Sequence, residues 1–303
     1  MSGLRGPPED RSPAELLEFG VVNLDKPPGP SSHQVSGWLR DSVADALADG
    51  EADATIDRAA HAGTLDPKVT GCLPIMFGDA TRLAQVFLEG PKEYVAVLEC
   101  HGSVPADAES IVAEFEGPIY QKPPRKSAVA RRLRVREIYD LDVLEAEDRR
   151  LLVRIRCESG TYVRKLCHDL GLALGTGGHM GDLRRTMTSP FDDSTLHSAH
   201  EFLDALAFWA EDDDPDLLYE VVEPAERILE GIPSVVIAES AAREVAEGAP
   251  VYAPGVLDVG DEVSRGNLVA CCTPDGAAVA LGEFVGSADA ESGVVVDLER
   301  VLV

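Results

Sequence analysis

The chain has 303 residues, with 27 Lys plus Arg against 54 Asp plus Glu, a formal net charge of −27 and a pI of about 4.5. That length predicts two domains, each with a core, while no apolar run approaches the roughly 18 residues of a membrane span. The six cysteines form no CxxC pair, which argues against zinc ligands and disulfides and for buried free thiols. Taken alone, the charge also argues against nucleic acid as a partner. The acids are not gathered in a tail, however, but spread between apolar runs. With high Asp, low Lys and much Ala, Val and Gly, the composition reads as that of a salt-adapted proteome. At molar salt the Debye length falls to ~3 Å, so global repulsion of RNA is screened. Counterion release then drives little binding, and close hydrogen bonds and stacking must supply the affinity.

Residues 1–20 lack an apolar signal core and predict a cytoplasmic protein with a mobile or loosely docked N-terminal extension. Residues 21–24 read as a short strand, broken by the stretch KPPGP at 26–30, after which Ser31 or Ser32 caps a helix to about residue 43. The acidic run 41–57 reads as a solvated helix end and loop, since its spacing matches no calcium loop. Next comes HAGTLDPKVTGCLP at 61–74. Gly63 permits a positive φ. Pro67 pushes Asp66 away from the helical region. Asp66 therefore sits on a stiff loop before the apolar run 72–77, which reads as a buried strand. Two readings are open for it: a turn residue bonding its own backbone, or a nucleophile or general base on a rigid loop. Asp79 caps a predicted helix at 80–88. Residues 93–101 form a strand with Tyr94, Ala96, Leu98 and Cys100 on one face, and that pattern alone makes Tyr94 a core tyrosine.

A short helix is expected at 110–115. Seven of the 27 basic residues then fall between 122 and 136 with no acid among them: Lys122, Arg125, Lys126, Arg131, Arg132, Arg134 and Arg136. In so acidic a chain this cluster reads as a phosphate-contacting loop. Residues 137–145 and 151–157 read as a hairpin. Gly160 and Thr161 open a helix at 162–174 with an apolar stripe of Val163, Leu166, Cys167, Leu170 and Leu174. Arg164, off that stripe in the first turn, is mildly unfavourable against the helix dipole and calls for an anionic partner. The glycine-rich block at 175–185 lacks the GxxxxGK[ST] phosphate-loop pattern. Its Arg184 and Arg185 are either phosphate contacts or surface ion pairs. A helix follows at 194–209, then an acidic linker at 206–231. From residue 232 the texture changes to short strands, at 234–237, 262–265, 268–273, 277–284 and 293–298, with one helix at 238–247. That spacing suggests a small barrel.

The run HAGTLDPKVTGCLPIMFGDATRL resembles the central motif of the TruB/dyskerin pseudouridine synthases, most of all their archaeal guide-RNA-dependent branch. The blocks NLDKPPGPSSHQV, KEYVAVLECHG, ESGTYVRKLCHDLG and the GxxxHMxxLRR pattern at 175–185 resemble further motifs of that family. The resemblance implies an α+β fold: a mixed, largely antiparallel central sheet with flanking helices, and a C-terminal β-barrel PUA domain. Domain bounds follow as extension 1–20, catalytic domain 21–205, acidic linker 206–231 and PUA domain 232–303. It implies conversion of uridine to pseudouridine with Asp66 as nucleophile, Arg164 paired to it, and Tyr94 stacked on the flipped base. His61, Tyr162 and Leu183 line the pocket, Lys26, Gly63 and Pro67 support it, and the basic loop closes over RNA. No cofactor or metal is implied. The partners implied are target rRNA or tRNA, an H/ACA guide RNA and the small accessory proteins of that ribonucleoprotein, with no membrane. A stand-alone enzyme acting on the tRNA T-loop, and a non-catalytic RNA scaffold, are the alternatives.

Overall fold

In the computed structural model of the protein, residues 3–49, 55–123 and 131–303 are described. The N-terminal part holds α1 (Pro13–Glu18), β1 (Gly20–Lys26), α2 (Ser32–Asp49), β2 (Ala59–His61), β3 (Thr70–Phe77), α3 (Val86–Glu89), β4 (Lys92–Cys100) and α4 (Ala108–Ala113). There follow β5 (Gly117–Gln121), β6 (Arg134–Ala146), β7 (Arg150–Cys157), α5 (Val163–Ala173), β8 (Gly178–Thr188), β9 (Phe191–Asp192), α6 (Ala199–Asp212), α7 (Asp216–Val221) and β10 (Glu223–Pro224). These strands make one sheet in the order β10-β1-β3-β8-β4-β7-β6-β5, with β2 paired to β3 and β9 to β8. Every pairing in it is antiparallel except β3 with β8. The α+β expectation, with a mixed and largely antiparallel sheet, therefore holds.

Two apolar layers cover the sheet's ends. Helices α2, α6 and α7 bury Val35, Leu39, Phe202, Leu206 and Leu218 against Leu24, Leu73 and Phe77. Helix α5 lays its predicted stripe on the far half, where Leu166, Cys167 and Leu170 meet Leu98, Val153 and Ile155. Alternation along β4 buries Ala96, Leu98 and Cys100 together, as the period of two requires.

The block 175–185, for which the sequence suggests no element, is largely a strand. It forms β8, wedged between β3 and β4. Gly71 explains how β8 fits: its φ is +96° and a Cβ there would lie 2.2 Å from the Arg185 carbonyl oxygen, so only glycine lets the two backbones meet. The helix expected at 80–88 is instead a 3₁₀ segment, Gly78–Leu83, followed by the single turn of α3. The acidic linker expected at 206–231 is not a linker. Helix α6 runs unbroken through it to Asp212, Leu218 and Val221 of α7 are buried, and β10 pairs with β1. The acids there face water while every third or fourth residue faces the core, a pattern that charge density hides.

The C-terminal part contains β11 (Ser234–Ile237), α8 (Glu239–Ala246), β12 (Val251–Tyr252), β13 (Val256–Val259), β14 (Leu268–Cys272), β15 (Ala278–Phe284) and β16 (Val294–Val301). The strand order is β12-β16-β15-β14-β11-β13. The strand expected at 262–265 is a turn, and Val256–Val259 takes its place beside β11. Ala270, Ala278, Leu281 and Leu302 of this part share a buried cluster with Phe19, Val21, Met76 and Phe191 of the other, so the junction is a continuous core.

The N-terminal extension is docked across that junction, contrary to the loose segment expected. Arg11, 4% exposed, donates from both terminal nitrogens to Glu226, at 2.6 and 2.8 Å. The same carboxylate accepts from the Ala278 amide at 3.0 Å. Arg5 donates to the Leu302 carbonyl at 2.5 Å and to Asp79 at 2.8 Å, and lies over the Phe19 ring. Leu4 packs on the C-terminal core, and Leu16 and Leu17 are buried in the large one. Because Arg11 is buried, removing its partner leaves a bare charge. Glu226→Ala should cost about 3–5 kcal/mol, and the loss should persist into molar KCl because buried pairs are screened little. Denaturant unfolding at low and high KCl checks this, and a loss under about 1 kcal/mol would mean the pair does not bind the extension down.

Candidate active site

The loop from His61 to Thr70 emerges between β2 and β3 with its backbone polar groups taken up by buried side chains. Ser31 caps α2, in a reciprocal exchange with Gln34. Ser32 is thereby free to face the loop. Fully buried, its hydroxyl accepts from the Leu65 amide at 2.8 Å and donates to the Leu65 carbonyl at 3.2 Å. Lys26, also fully buried, donates from Nζ to the carbonyls of Pro27, Pro67 and Val69 at 2.9, 3.1 and 2.9 Å. Burial lowers its pKa from the ordinary lysine range. Gly29 donates to Pro67 and Val69 to the Asp66 carbonyl. Gly63 takes the expected left-handed conformation, φ +92°.

Asp66 projects from this held backbone into solvent, its side chain 55% exposed, and pairs with Arg164, 57% exposed, from the first turn of α5. The carboxylate is thus directed at a cation from another element, while its own carbonyl closes the turn. Beside it, β8 brings Leu183 opposite Ala96 and Arg185 opposite Tyr94. Tyr94 and Leu183 are both partly buried and both touch the two apolar layers, so they sit on the seam between them. Burial pushes the Tyr94 phenol above the ordinary tyrosine range, with the neighbouring Arg185 opposing. His61 is half-buried at the end of β2, its Nδ1 shielded and without a partner among the described residues. Burial and then the Arg185 charge lower its pKa, so at neutral pH the ring carries no charge.

Arg185 and Arg184 do not stand ready for phosphate. Arg185 is 2% exposed and donates inward, to the Cys72 carbonyl at 2.7 Å and the Gly63 carbonyl at 3.3 Å. It braces the loop at 61–70 against β8. Arg184 forks onto Asp25 at 2.9 and 3.0 Å. Of the basic stretch, Lys122, Arg131 and Arg132 are exposed and Arg134 half-exposed, Arg131 reaching the Pro123 carbonyl at 3.2 Å. Arg125 and Lys126 lie outside the described residues. Tyr162 is half-buried at the N-cap of α5. Pro67 is exposed in the turn beside Asp66. Two side chains that sequence reasoning passed over are Gln121 and, as a loop clamp, Ser32. Both are buried polar groups spent on backbone atoms, a role that side-chain spacing does not signal. Among the described residues there is no group of three or more His, Cys, Asp or Glu placed to hold a metal, and no helix is long and apolar enough to cross a membrane.

A clamped loop presents one carboxylate to an arginine of another element, near the seam where Tyr94 and Leu183 touch both apolar layers, and a small six-stranded β domain adjoins it. Family models agree with that assembly: the TruB family pseudouridylate synthase N-terminal domain over residues 52–108, the tRNA pseudouridylate synthase B C-terminal domain over 164–230, the PUA domain over 233–302 and the DKCLD domain over 5–36. The chain belongs to the TruB family of pseudouridine synthases. It is 60% identical to a probable tRNA pseudouridine synthase B of Haloarcula marismortui, over 99% of this chain and 94% of that protein. Its structure matches a chain of a Cbf5-Nop10-Gar1 complex with a TM-score of 0.89 and 42% identity, over 99% of this chain and 90% of that one. A match with TM-score 0.88 and 40% identity, over 100% of this chain and 91% of the other, comes from an H/ACA ribonucleoprotein bound to a substrate RNA containing 2′-deoxyuridine.

Ser32→Ala tests the clamp. It orphans the buried Leu65 amide, so stability should fall by about 1–3 kcal/mol. The displaced carboxylate should slow single-turnover isomerisation by ~10- to 100-fold with RNA affinity little changed. Wild-type turnover in a measurably destabilised Ser32→Ala protein would show that the clamp does not place Asp66.

Proposed function

We propose that the chain isomerises specific uridines of RNA to pseudouridine as the catalytic subunit of an H/ACA guide ribonucleoprotein, acting on rRNA and also on tRNA. The observation that carries this is the Asp66–Arg164 ion pair, set on a backbone that Lys26, Ser32 and Arg185 hold from within. A uridine within RNA hides its glycosidic bond and must be extruded to react. In the proposed complex Tyr94 stacks on the flipped base, Leu183 walls the pocket and neutral His61 stands where the nucleotide left. Asp66 acts as a carboxylate at the ribose while the N1–C1′ bond breaks. The uracil turns, C5 bonds to C1′, the C5 proton leaves, and N1 regains a proton. The basic residues Lys122, Arg131, Arg132 and Arg134 hold phosphates.

The guide-dependent reading draws support from the solved relatives, one from a Cbf5-Nop10-Gar1 complex and one from the Nop10-Cbf5 complex of an archaeal box H/ACA sRNP. The name of the Haloarcula and Halobacterium relatives, probable tRNA pseudouridine synthase B, favours a second reading, a tRNA enzyme that needs no guide. The purified protein should be assayed on bare tRNA and on rRNA fragments, with and without guide RNA and accessory proteins. Guide-dependent pseudouridine in rRNA is expected, and efficient tRNA modification by the protein alone, with none on rRNA under any condition, would favour the second reading. Asp66→Asn keeps the side chain's shape but is no nucleophile, so it should abolish product while RNA affinity stays within a few fold.

The acidic surface fits a cytoplasm of high salt, as do relatives from Haloarcula and Halobacterium. In such a medium repulsion between the chain and RNA is screened. Affinity for guide RNA should therefore rise between about 0.1 and 3 M KCl, against the usual fall that accompanies counterion release. A steady fall in affinity with the fold intact, by circular dichroism, would remove the salt argument.

A further inference from the structure

Helix α5 carries Arg164 in its first turn, and its N-cap residue, Tyr162, makes no side-chain capping hydrogen bond to it. The cap is supplied from another element. Gln121, the last residue of β5 and 1% exposed, accepts from the Tyr162 amide through Oε1 at 2.8 Å and donates from Nε2 to the Tyr162 carbonyl at 3.2 Å. A carboxamide presents one acceptor and one donor side by side, which matches the N–H and C=O that the extended Tyr162 turns to one side. The Tyr162 carbonyl has further donors in the amides of Lys165 and Leu166, at 2.9 and 3.1 Å.

The approach to α5 is held from the same hairpin. Glu158 takes Arg136 at 2.8 Å and the Glu137 amide at 3.1 Å, and its own amide donates to the Glu137 carbonyl at 2.9 Å. The segment from Glu158 to Tyr162 is therefore bound to β5 and β6 at both ends, and Arg164 lies two residues beyond the second attachment. Gln121 also immediately precedes Lys122 and the basic stretch.

We propose that Gln121 is a positioning residue for pseudouridine formation: by holding the backbone N–H and C=O of Tyr162 it sets the first turn of α5, and so Arg164, against Asp66. It touches neither the carboxylate nor the guanidinium, and its effect passes through Arg164. This rests on the reading of Asp66 and Arg164 given above.

The test is a double-variant cycle in the assembled guide-RNA complex, read as single-turnover rate and substrate-RNA affinity. Gln121→Ala should lower the rate ~10- to 100-fold, the scale of a 1 Å misplacement, with affinity within about threefold. In an Arg164→Ala background the same substitution should add almost nothing, since residues acting as one unit are not additive. Additive losses, or a wild-type rate in Gln121→Ala, would overturn the proposal. Gln121→Glu serves if the alanine variant does not fold. A carboxylate still accepts from the Tyr162 amide but cannot donate to the carbonyl, and its protonated form can. The ratio of its rate to wild type should climb as pH falls through the carboxyl range, whereas a flat ratio would also overturn the proposal. If Arg164→Ala itself turns over at the wild-type rate, the reading of the site fails and the role of Gln121 falls with it, whereas additive losses beside an impaired Arg164→Ala overturn the role of Gln121 alone.

Discussion

A carboxylate presented to water is only as well placed as the backbone beneath it. Here that backbone is held by hydrogen bonds from buried side chains of three distant segments. Lys26 from the end of β1, Ser32 from the start of α2 and Arg185 from β8 all terminate on peptide groups between Gly63 and Cys72. A buried peptide group without a partner is costly, so each clamp removes a reason for the loop to move as well as tying it down. The choice of cations is informative. The chain has six lysines, and two of them, Lys26 and Lys92, are buried with their ammonium groups on backbone carbonyls. Lys92 has its pKa pushed down to about 8 by burial, a measure of how unfavourable its placement is. A chain that otherwise avoids lysine keeps these two where carbonyls converge and a compact three-donor group is the only fit.

Strand β8 joins the two halves of the site. Its parallel pairing with β3 and antiparallel pairing with β4 bring Leu183 and Arg185 between the aspartate's strand and the tyrosine's strand. The same arginine braces Gly63, adds to the burial that lowers the His61 pKa and lies against the Tyr94 phenol. Nothing in the cleft is therefore independent. The loop, the histidine and the aromatic wall share one buried guanidinium.

What could be read from the sequence and what could not divide along physical lines. Periodicity marked α5, β4 and the β6–β7 hairpin because each has one face in a core and one in water. It offered no element at β8, where glycines break any regular apolar pattern and pairing from both sides supplies the order. It failed at α7, where acids crowd the solvent face and mask the buried Leu218 and Val221. Within the site, Arg164 stood out as a cation at a helix N-terminus, whereas Asp66 on its stiff turn left two readings open and only the family resemblance chose between them. Ser32 and Gln121 did not stand out, because their partners are peptide groups, and a sequence does not say which peptide groups will lack a partner. Arg185 was misread for a related reason. In a chain of net −27 a basic residue invites assignment to RNA, whereas this one is consumed by the interior.

The contact of Arg5 with the Leu302 carbonyl spans 297 positions. During synthesis the residues that seat the N-terminal segment, Glu226, Ala278 and Leu302, emerge long after it. Arg5 and Arg11, the groups that pin it, must therefore wait in water while the catalytic sheet assembles. The seam between the two domains closes last, when β15 and β16 have left the ribosome. A nascent chain stalled before that point would hold a nearly complete catalytic cleft and an unsealed apolar flank, exposing Phe19, Met76 and Phe191 to aggregation.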